Sequence, residues 1–275
     1  MNLEGKTKEE IIETLQTSKK QERAEEIKAT QSTTRVKLPS NGLINPSITE
    51  VTLKRMTTMQ SKTLFTNNDP NFLTTLVMSC IVEPVNIKTT DLHPNDIVYL
   101  LFILRYISSP KEVVQRTVCM NRNCRHEYNV PIKIQDMSVK YAELENINTV
   151  CTLPDSGDVI QFKILSEGEL NECDKISDRK IRQENIEYSE QDWTRAINKV
   201  AYMIQLVNDK DFKTFDEKLK YLENLSAYDF EYFNNEYSNI INSFGIEREI
   251  ISSCPRCGYT NEVEAYISPE FFRLV

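Results

Sequence analysis

The sequence contains 275 residues, 40% of them hydrophobic, which predicts one large or two modest domains with a substantial core. The formal net charge is −8, and residues 166–250, with 11 Lys or Arg against 19 Asp or Glu, account for all of it. This acidity argues against a protein that binds a phosphate backbone, and a total of only six glycines argues against a glycine-rich nucleotide-binding enzyme.

Residues 1–35 are polar, with seven basic and seven acidic side chains and no aromatic residue. They lack the apolar surface to fold alone, so we interpret them as a flexible charged arm that is either solvated or docked on a partner. They also lack the apolar core of a signal peptide, and the longest purely apolar run, residues 97–104, is too short to span a bilayer. We therefore expect a soluble protein, made in a reducing cytosol, with no membrane partner.

Residues 36–110 are predicted to form a strand followed by helices. Residues 49–55 alternate as a strand, and a short helix is expected to begin at residue 57 or 58. The pair Asp69-Pro70 is typical of a helix start, and Glu83-Pro84 ends the helix that it opens. The apolar face of that helix is formed by Phe72, Leu73, Leu76, Val77 and Cys80.

A further helix, opened by His93 and Pro94, is apolar nearly all round over residues 97–106. We expect it to be the central buried helix of the N-terminal half. His93 is interpreted as a cap rather than a catalyst, because a positive charge is disfavoured at a helix start. Arg105 on such a helix predicts a structural ion pair, with contact to a partner protein as the alternative.

Two cysteine pairs occupy equivalent positions in two strand–turn–strand units. The pair Cys119 and Cys124 and the pair Cys254 and Cys257 each lie between β-type runs, at 112–118 and 127–134 and at 246–252 and 262–267. Zn²⁺ prefers four tetrahedral ligands, and two tight turns can each present two thiolates to it. The spacing therefore predicts one structural zinc site with four cysteine ligands.

The two turns differ in strength as metal-binding motifs. Cys254-Pro-Arg-Cys257, followed by Gly258, is typical of a turn whose backbone amides point at the sulfurs, whereas the first pair has four intervening residues. Four unrelated buried thiols are the alternative, and a disulfide is disfavoured because nothing indicates an oxidising compartment. His126 is an alternative ligand, and the cysteines without a spaced partner are expected in the core or at the surface: Cys80, Cys151 and Cys173.

Residues 136–245 are predicted to form a β-hairpin followed by a helical insertion. The hairpin comprises residues 149–153 and 159–165, and Ser166 with Glu169 forms a capping box that opens a mostly helical stretch to about residue 244. One helix is predicted to bury Ile197, Val200, Ala201, Ile204, Leu206 and Val207, and two more are expected to begin at Thr214 or Asp216 and at Ser226. The last helix carries an aromatic stripe that favours a core position, with a protein interface as the alternative: Tyr228, Phe230, Tyr232, Phe233 and Tyr237.

Together these elements predict an α+β fold. A helical N-terminal half and a helical insertion are joined by a split zinc-ribbon-like β unit at 111–135 and 246–268, and residues 269–275 form a C-terminal tail. The sequence has only two histidines, no nucleophile and base that could be paired, no phosphate loop and no HExxH motif. We therefore expect no enzymatic activity.

Several short motifs follow one another in a defined order along residues 36–275. They are Leu38-Pro-Ser-Asn-Gly-Leu43, the run Glu50 to Thr57, Asp91 with Asp96, the run Tyr99 to Arg105, the two cysteine turns and Pro269-Glu-Phe-Phe272. This order resembles the T4-type bacteriophage baseplate protein family. The chain departs from the family pattern in the longer first cysteine turn and in its Phe-Phe-Arg-Leu-Val ending, where a proline is more usual.

The resemblance implies a non-enzymatic phage protein that acts in baseplate hub assembly in the host cytoplasm, with the virion tail as a further location. Its partners would be other baseplate hub or tail proteins. Contact surfaces are expected on the charged arm, the acidic insertion and the apolar pair Phe271 and Phe272. The alternative is a zinc-ribbon protein that binds nucleic acid or acts in transcription, because residues 111–133 hold five Lys or Arg against two acids.

Overall fold

A computed structural model describes residues 33–63, 71–109 and 112–272, and confirms an α+β fold there. Its helices are α1 Thr58–Thr63, α2 Phe72–Cys80, α3 Pro94–Ser108, α4 Glu167–Glu184, α5 Tyr188–Met203, α6 Phe215–Glu223 and α7 Ala227–Asn242. Its strands are β1 Thr33–Lys37, β2 Glu50–Lys54, β3 Ile81–Glu83, β4 Val113–Val118, β5 Glu127–Ile132, β6 Val139–Lys140, β7 Val150–Thr152, β8 Val159–Phe162, β9 Ile204–Val207, β10 Lys210–Asp211, β11 Gly245–Ile246, β12 Glu249–Ser253 and β13 Thr260–Glu264. None of the helices in these ranges has the length and apolarity that a membrane crossing requires.

The N-terminal core lies between α2, α3 and an antiparallel sheet with the order β1-β2-β3. The strand predicted at 49–55 is confirmed as β2, whose inward residues Val51 and Leu53 are buried. The helices expected after it are also present, although the predicted start of α2 at Asp69-Pro70 lies outside the described residues. The apolar alternation and the helical period therefore suffice to place these elements.

Helix α3 is the central buried helix of this core, as predicted. His93 caps it: its Nδ1 accepts a hydrogen bond from the backbone N–H of Asn95 at 3.1 Å. At the other end Arg105 is buried, and its guanidinium donates to the carbonyl oxygens of Phe271 and Ser109, both at 2.7 Å. Arg105 therefore fastens the end of α3 to the C-terminal segment, which is a structural role.

The C-terminal aromatic pair is located differently from the prediction. Phe271 and Phe272 are 5% and 0% exposed, and the Phe271 ring packs edge-on against Phe102 of α3 with centroids 5.1 Å apart. The pair completes the N-terminal core instead of forming an apolar surface for a partner. Burial of two consecutive large rings in this core removes a large apolar area from water, which stabilises the fold.

Asp96, in the first turn of α3, holds the loop at Ser40 in place. Its buried carboxylate accepts hydrogen bonds from the backbone N–H groups of Ser40 at 2.9 Å and of His93 at 3.0 Å. Burial raises the pKa of Asp96, and these hydrogen bonds oppose that shift. The carboxylate thus satisfies two amides that would otherwise be buried without a partner.

We expect Asp96→Ala to lower the free energy of unfolding by about 3 kcal/mol, because it leaves two buried N–H groups unpaired. Asp96→Asn keeps one acceptor oxygen and should cost about 1 kcal/mol. Denaturant unfolding measures both. A suitable control is Asp91→Ala, since that half-buried carboxylate accepts from the exposed N–H of Lys88 and from Asn45 Nδ2, and its loss leaves no buried backbone N–H unpaired. Equal losses in all three variants would contradict this role of Asp96.

The insertion has its own core between α5, α6, α7 and a sheet with the order β10-β9-β8-β7. The predicted hairpin is confirmed as β7–β8, and the capping box of Ser166 and Glu169 opens α4. Residues Ile204–Val207, however, were expected to be helical and form β9, which pairs with β8. Either a helix or a strand could bury Ile204 and Val207, which are buried here. The strand forms because β8 lies alongside and offers backbone hydrogen bonds.

The insertion is anchored on the N-terminal half near the start of α3. Asn95 Nδ2 donates to the carbonyl oxygens of Ile241 at 2.7 Å and Phe244 at 2.8 Å, at the end of α7. Gly168, in the first turn of α4, lies so close to Thr90 that an added Cβ would come within 2.6 Å of its methyl group. The close approach at this position requires glycine.

Candidate metal centre

The first cysteine turn is built by the hairpin β4–β5. The N–H of Cys119 donates to the carbonyl of His126 at 2.9 Å, which continues the hairpin ladder beyond Val118 and Glu127. Within the turn the N–H of Cys124 donates to the carbonyl of Asn121 at 2.9 Å, and Arg125 then leaves the turn with a φ of 47°. The four intervening residues thus form a closed turn that directs both thiols to the same side.

The second cysteine turn, at the tip of β12–β13, is tighter. The N–H of Cys254 donates to the carbonyl of Tyr259, and the N–H of Gly258 donates to the carbonyl of Cys254, both at 2.9 Å. Gly258 has a φ of 74°, in the left-handed region that glycine adopts without strain. This agrees with the tight turn predicted from Cys-Pro-Arg-Cys-Gly.

The structure brings all four predicted cysteines together. Cys119 Sγ lies 3.7 Å from Cys257 Sγ, and Cys124 Sγ lies 3.9 Å from Cys254 Sγ. All four sulfurs lie within 4.8 Å of one another, and no pair is bonded as a disulfide. Four converging sulfur donors could hold a metal ion, whereas unrelated thiols would not meet at one point.

The remaining candidates lie elsewhere. His126 contributes its backbone carbonyl to the first turn and does not belong to the group of four. The cysteines without a spaced partner are buried in the two main cores or in α4: Cys80, Cys151 and Cys173. They are core residues, as the sequence indicates.

The thiols influence one another electrostatically. Burial raises the pKa of Cys254, but hydrogen bonds from the N–H groups of Arg256 and Cys257 and from neighbouring thiols outweigh it and lower the pKa to about 7. At Cys124 the N–H of His126 lowers the pKa, yet burial and the nearby sulfurs outweigh it and raise the pKa to about 11. Four thiolates this close repel each other, so a cation is needed for all of them to be ionised.

Asn261, which sequence reasoning missed, joins the two turns. It is 2% exposed, and its Oδ1 accepts from the N–H of Met120 at 2.8 Å while its Nδ2 donates to Tyr128 Oη at 2.9 Å. One amide therefore links β13 to Met120 within the first cysteine turn and to Tyr128 of β5. The available signal was a polar residue in the inward register of β13, alternating with Val263.

We expect Asn261→Ala to weaken metal binding by about 10- to 100-fold, because residues that support the ligands set their geometry. It should also lower the free energy of unfolding by about 2 kcal/mol, since the N–H of Met120 loses its partner. Competition with a chelator gives the affinity, and Asn239→Ala, on α7, is the control. An affinity equal to that of the unchanged chain would contradict the linking role.

The fold and the site define an α+β protein in which two hairpins, separated by more than a hundred residues, meet at a four-cysteine centre. The family model for the T4 bacteriophage base plate protein matches residues 30–273, and the chain belongs to this family. No curated protein and no solved structure matches the chain significantly. Family membership confirms the resemblance carried by the motifs and indicates a structural protein of the phage baseplate that interacts with other tail or baseplate proteins.

Proposed function

We propose that this chain is a non-enzymatic structural or assembly protein of the baseplate hub, stabilised by one zinc ion. Membership of the baseplate family supports the structural role. The convergence of Cys119, Cys124, Cys254 and Cys257 from distant parts of the sequence supports the zinc ion. The centre holds the two hairpins together, and the chain then acts through protein–protein contacts on the surfaces around them. Assembly takes place in the host cytoplasm and ends in the tail baseplate.

Zinc is the metal that best fits the donor set. Zinc–sulfur bonds of about 2.3 Å in a regular tetrahedron place the sulfurs about 3.8 Å apart. The distances Cys119–Cys257 and Cys124–Cys254, at 3.7 and 3.9 Å, agree with that edge length, and all the sulfur atoms lie within 4.8 Å of one another. Four thiolates favour a soft or borderline metal and close the coordination shell, so the ion would be structural and would not activate water.

Association with tail assemblies tests the hub assignment. A tagged chain, expressed during infection by the phage that encodes it, should copurify with hub or tail proteins at the stage of baseplate assembly. The tag without the chain controls for non-specific capture. Quantification in mature particles then separates a permanent component from an assembly factor. A chain that stays monomeric and apart from every tail intermediate would contradict the proposal.

A second candidate function, nucleic-acid binding, is favoured only by the local basicity of residues 111–133. Part of that charge is already neutralised, because Arg116 forms an ion pair with Glu127 across β4–β5. The acidic insertion would repel a phosphate backbone. Salt-dependent binding of DNA or RNA would support this function, and no binding at low salt would exclude it.

A further inference from the structure

The helical insertion exposes large aromatic side chains that its core does not use. Trp193, the only tryptophan of the chain, is 57% exposed on α5. Its ring packs against Phe230 of α7 with centroids 5.2 Å apart. Tyr228, in the first turn of α7, is 63% exposed, whereas Phe233 and Tyr237 of the same helix are buried. The aromatic stripe is therefore divided between core residues and a surface residue set.

The two helices around Trp193 carry more acidic than basic side chains. Between Arg182 and Arg195 the chain has four acids and no Lys or Arg. Between Lys220 and Arg248 it has five acids and no Lys or Arg, although Asp229 is buried and Glu247 pairs with Lys140. Glu190, Asp192 and Glu231 are exposed on the two helices that meet at Trp193 and Phe230. Arg195, the nearest cation in sequence, is shared between Asp178 at 3.0 Å and Asp192 at 3.7 Å, so one guanidinium faces two carboxylates.

We propose that these residues form a docking surface for an arginine-bearing apolar segment of a partner protein. The acidic aromatic surface comprises Trp193 and its neighbour Phe230 together with Glu190, Asp192 and Glu231. The inference rests on the proposed function, because it identifies the kind of baseplate or tail protein that this chain contacts.

The composition of the surface selects its partner. A guanidinium stacks on aromatic rings and pairs with carboxylates through a planar fork, so arginine can satisfy both kinds of group at once. Exposed tryptophan and tyrosine are also the residues that most often dominate binding energy in protein interfaces. A second copy of this chain is a poor occupant, since it would bring carboxylates against carboxylates. Nucleic acid is disfavoured for the same reason.

Trp193 makes the surface directly measurable. The full chain is titrated with a short amphipathic peptide bearing leucine and arginine, and the emission of its single tryptophan is recorded. We expect a saturable blue shift, an affinity that falls as salt is added, and weaker binding of the matched lysine peptide. The matched glutamate peptide should not bind. Absence of saturable binding, or equal binding of the lysine and arginine peptides, would overturn the proposal.

Variants locate the binding. Trp193→Ala should reduce the affinity for a fluorescently labelled arginine peptide at least about tenfold, as for a central interface residue. The double neutralisation Glu190→Gln with Asp192→Asn should also weaken it, whereas Glu249→Gln with Glu262→Gln, the same charge change on the β12–β13 hairpin, should leave it unchanged. Circular dichroism confirms that each variant is folded. Equal effects of the two double variants would overturn the proposal.

Two further measurements distinguish a partner protein from the other possible occupants of this surface. A red shift of Trp193 emission on deletion of residues 1–32 would identify the chain's own N-terminal segment as the occupant, and self-association lost in Trp193→Ala would identify a second copy. Either result overturns the proposal.

If the tagged chain joins tail assemblies but Trp193→Ala and the acidic double variant do so equally well, the surface inference fails while the hub assignment stands. If the chain joins no assembly yet binds the arginine peptide at Trp193, the hub assignment fails while the inferred binding surface stands.

Discussion

Cys254→Ser is expected to abolish stoichiometric zinc binding and to lower the unfolding temperature of the chain by about 10 °C or more. Structural zinc sites with thiolate ligands bind with apparent free energies of about 10–16 kcal/mol, and in such sites binding energy is folding energy. Even half of the smaller value, at about 2–4 °C per kcal/mol for a chain of this size, gives a shift of this order. The loss should be largest in β4–β5 and β12–β13, whose small core contains Cys119 and Cys254 themselves.

Metal analysis and thermal unfolding measure this expectation together. The unchanged chain should contain one zinc per molecule, and a chelator should lower its unfolding temperature nearly as far as the substitution does. Cys151→Ala is the matched control, because that thiol is buried in the core of the insertion, away from the centre. It should cost some stability but retain the metal. A metal-free chain that melts at the same temperature with and without chelator would contradict the zinc assignment.

The cysteine centre is the part of the site that the sequence predicts best, and the reason is local. Two closely spaced cysteines that follow a strand predict a tight turn, and a tight turn can direct its thiols in only a few ways. Spacing therefore identifies Cys119, Cys124, Cys254 and Cys257 without any knowledge of the fold. The same holds for the caps at His93, Ser166 and Ser226, where one side chain satisfies a nearby N–H.

The features that sequence patterns miss depend on partners far away along the chain. Ile204–Val207 has a helical period and becomes a strand because β8 lies beside it. Phe271 and Phe272 are two apolar residues in sequence, and only the position of α3 decides that they are buried in the chain's own core. Asn261 is one amide among many in the sequence, and its role depends on the first cysteine turn lying opposite it.

Long-range contacts join both the four-cysteine centre and the helical insertion to the N-terminal core. The N-terminal core includes Val113 and Ile132 of the first hairpin and Ala265 just after β13. The four-cysteine centre therefore extends that core instead of forming a separate module. The insertion is anchored to the same half through Asn95 and Gly168. The N-terminal half thus contacts both ends of the helical insertion, at the first turn of α4 and at the end of α7.

His93 is expected to make the chain sensitive to acid. It is 3% exposed, with its ring 4.8 Å from the ring of Phe244, and its Nδ1 accepts the N–H of Asn95. Burial, and to a smaller extent the charge of Lys199, lower the pKa of His93 to about 3. The helix N-terminus also disfavours a positive charge there. In the folded chain the imidazole is therefore neutral down to strongly acidic pH.

The sign of the effect follows from the two protonation states. Above about pH 6.5 the imidazole is neutral in both the folded and the unfolded chain, and its contribution to stability is fully present. Between pH 6.5 and 3 only the unfolded chain binds the proton, so the free energy of unfolding falls by about 1.4 kcal/mol per pH unit. Over the whole interval His93 alone accounts for a loss of roughly 4 to 5 kcal/mol.

His93→Asn isolates this contribution, because asparagine retains an acceptor for the capping N–H but does not titrate. At pH 7 the variant should be less stable by about 1–2 kcal/mol, since the packing of the ring on Phe244 is lost. Its stability should then fall less steeply with acid. The two curves of unfolding free energy should cross between about pH 5 and 6, where a loss of about 1.4 kcal/mol per pH unit in the unchanged chain has offset the difference at pH 7. Protonation of carboxylates and of the cysteine centre affects the unchanged chain and His93→Asn equally, so these effects cancel in the difference between their unfolding free energies. Parallel curves from pH 7 to pH 4 would mean that His93 takes up its proton as easily in the folded chain as in the unfolded one, and that its burial does not control the acid stability of α3.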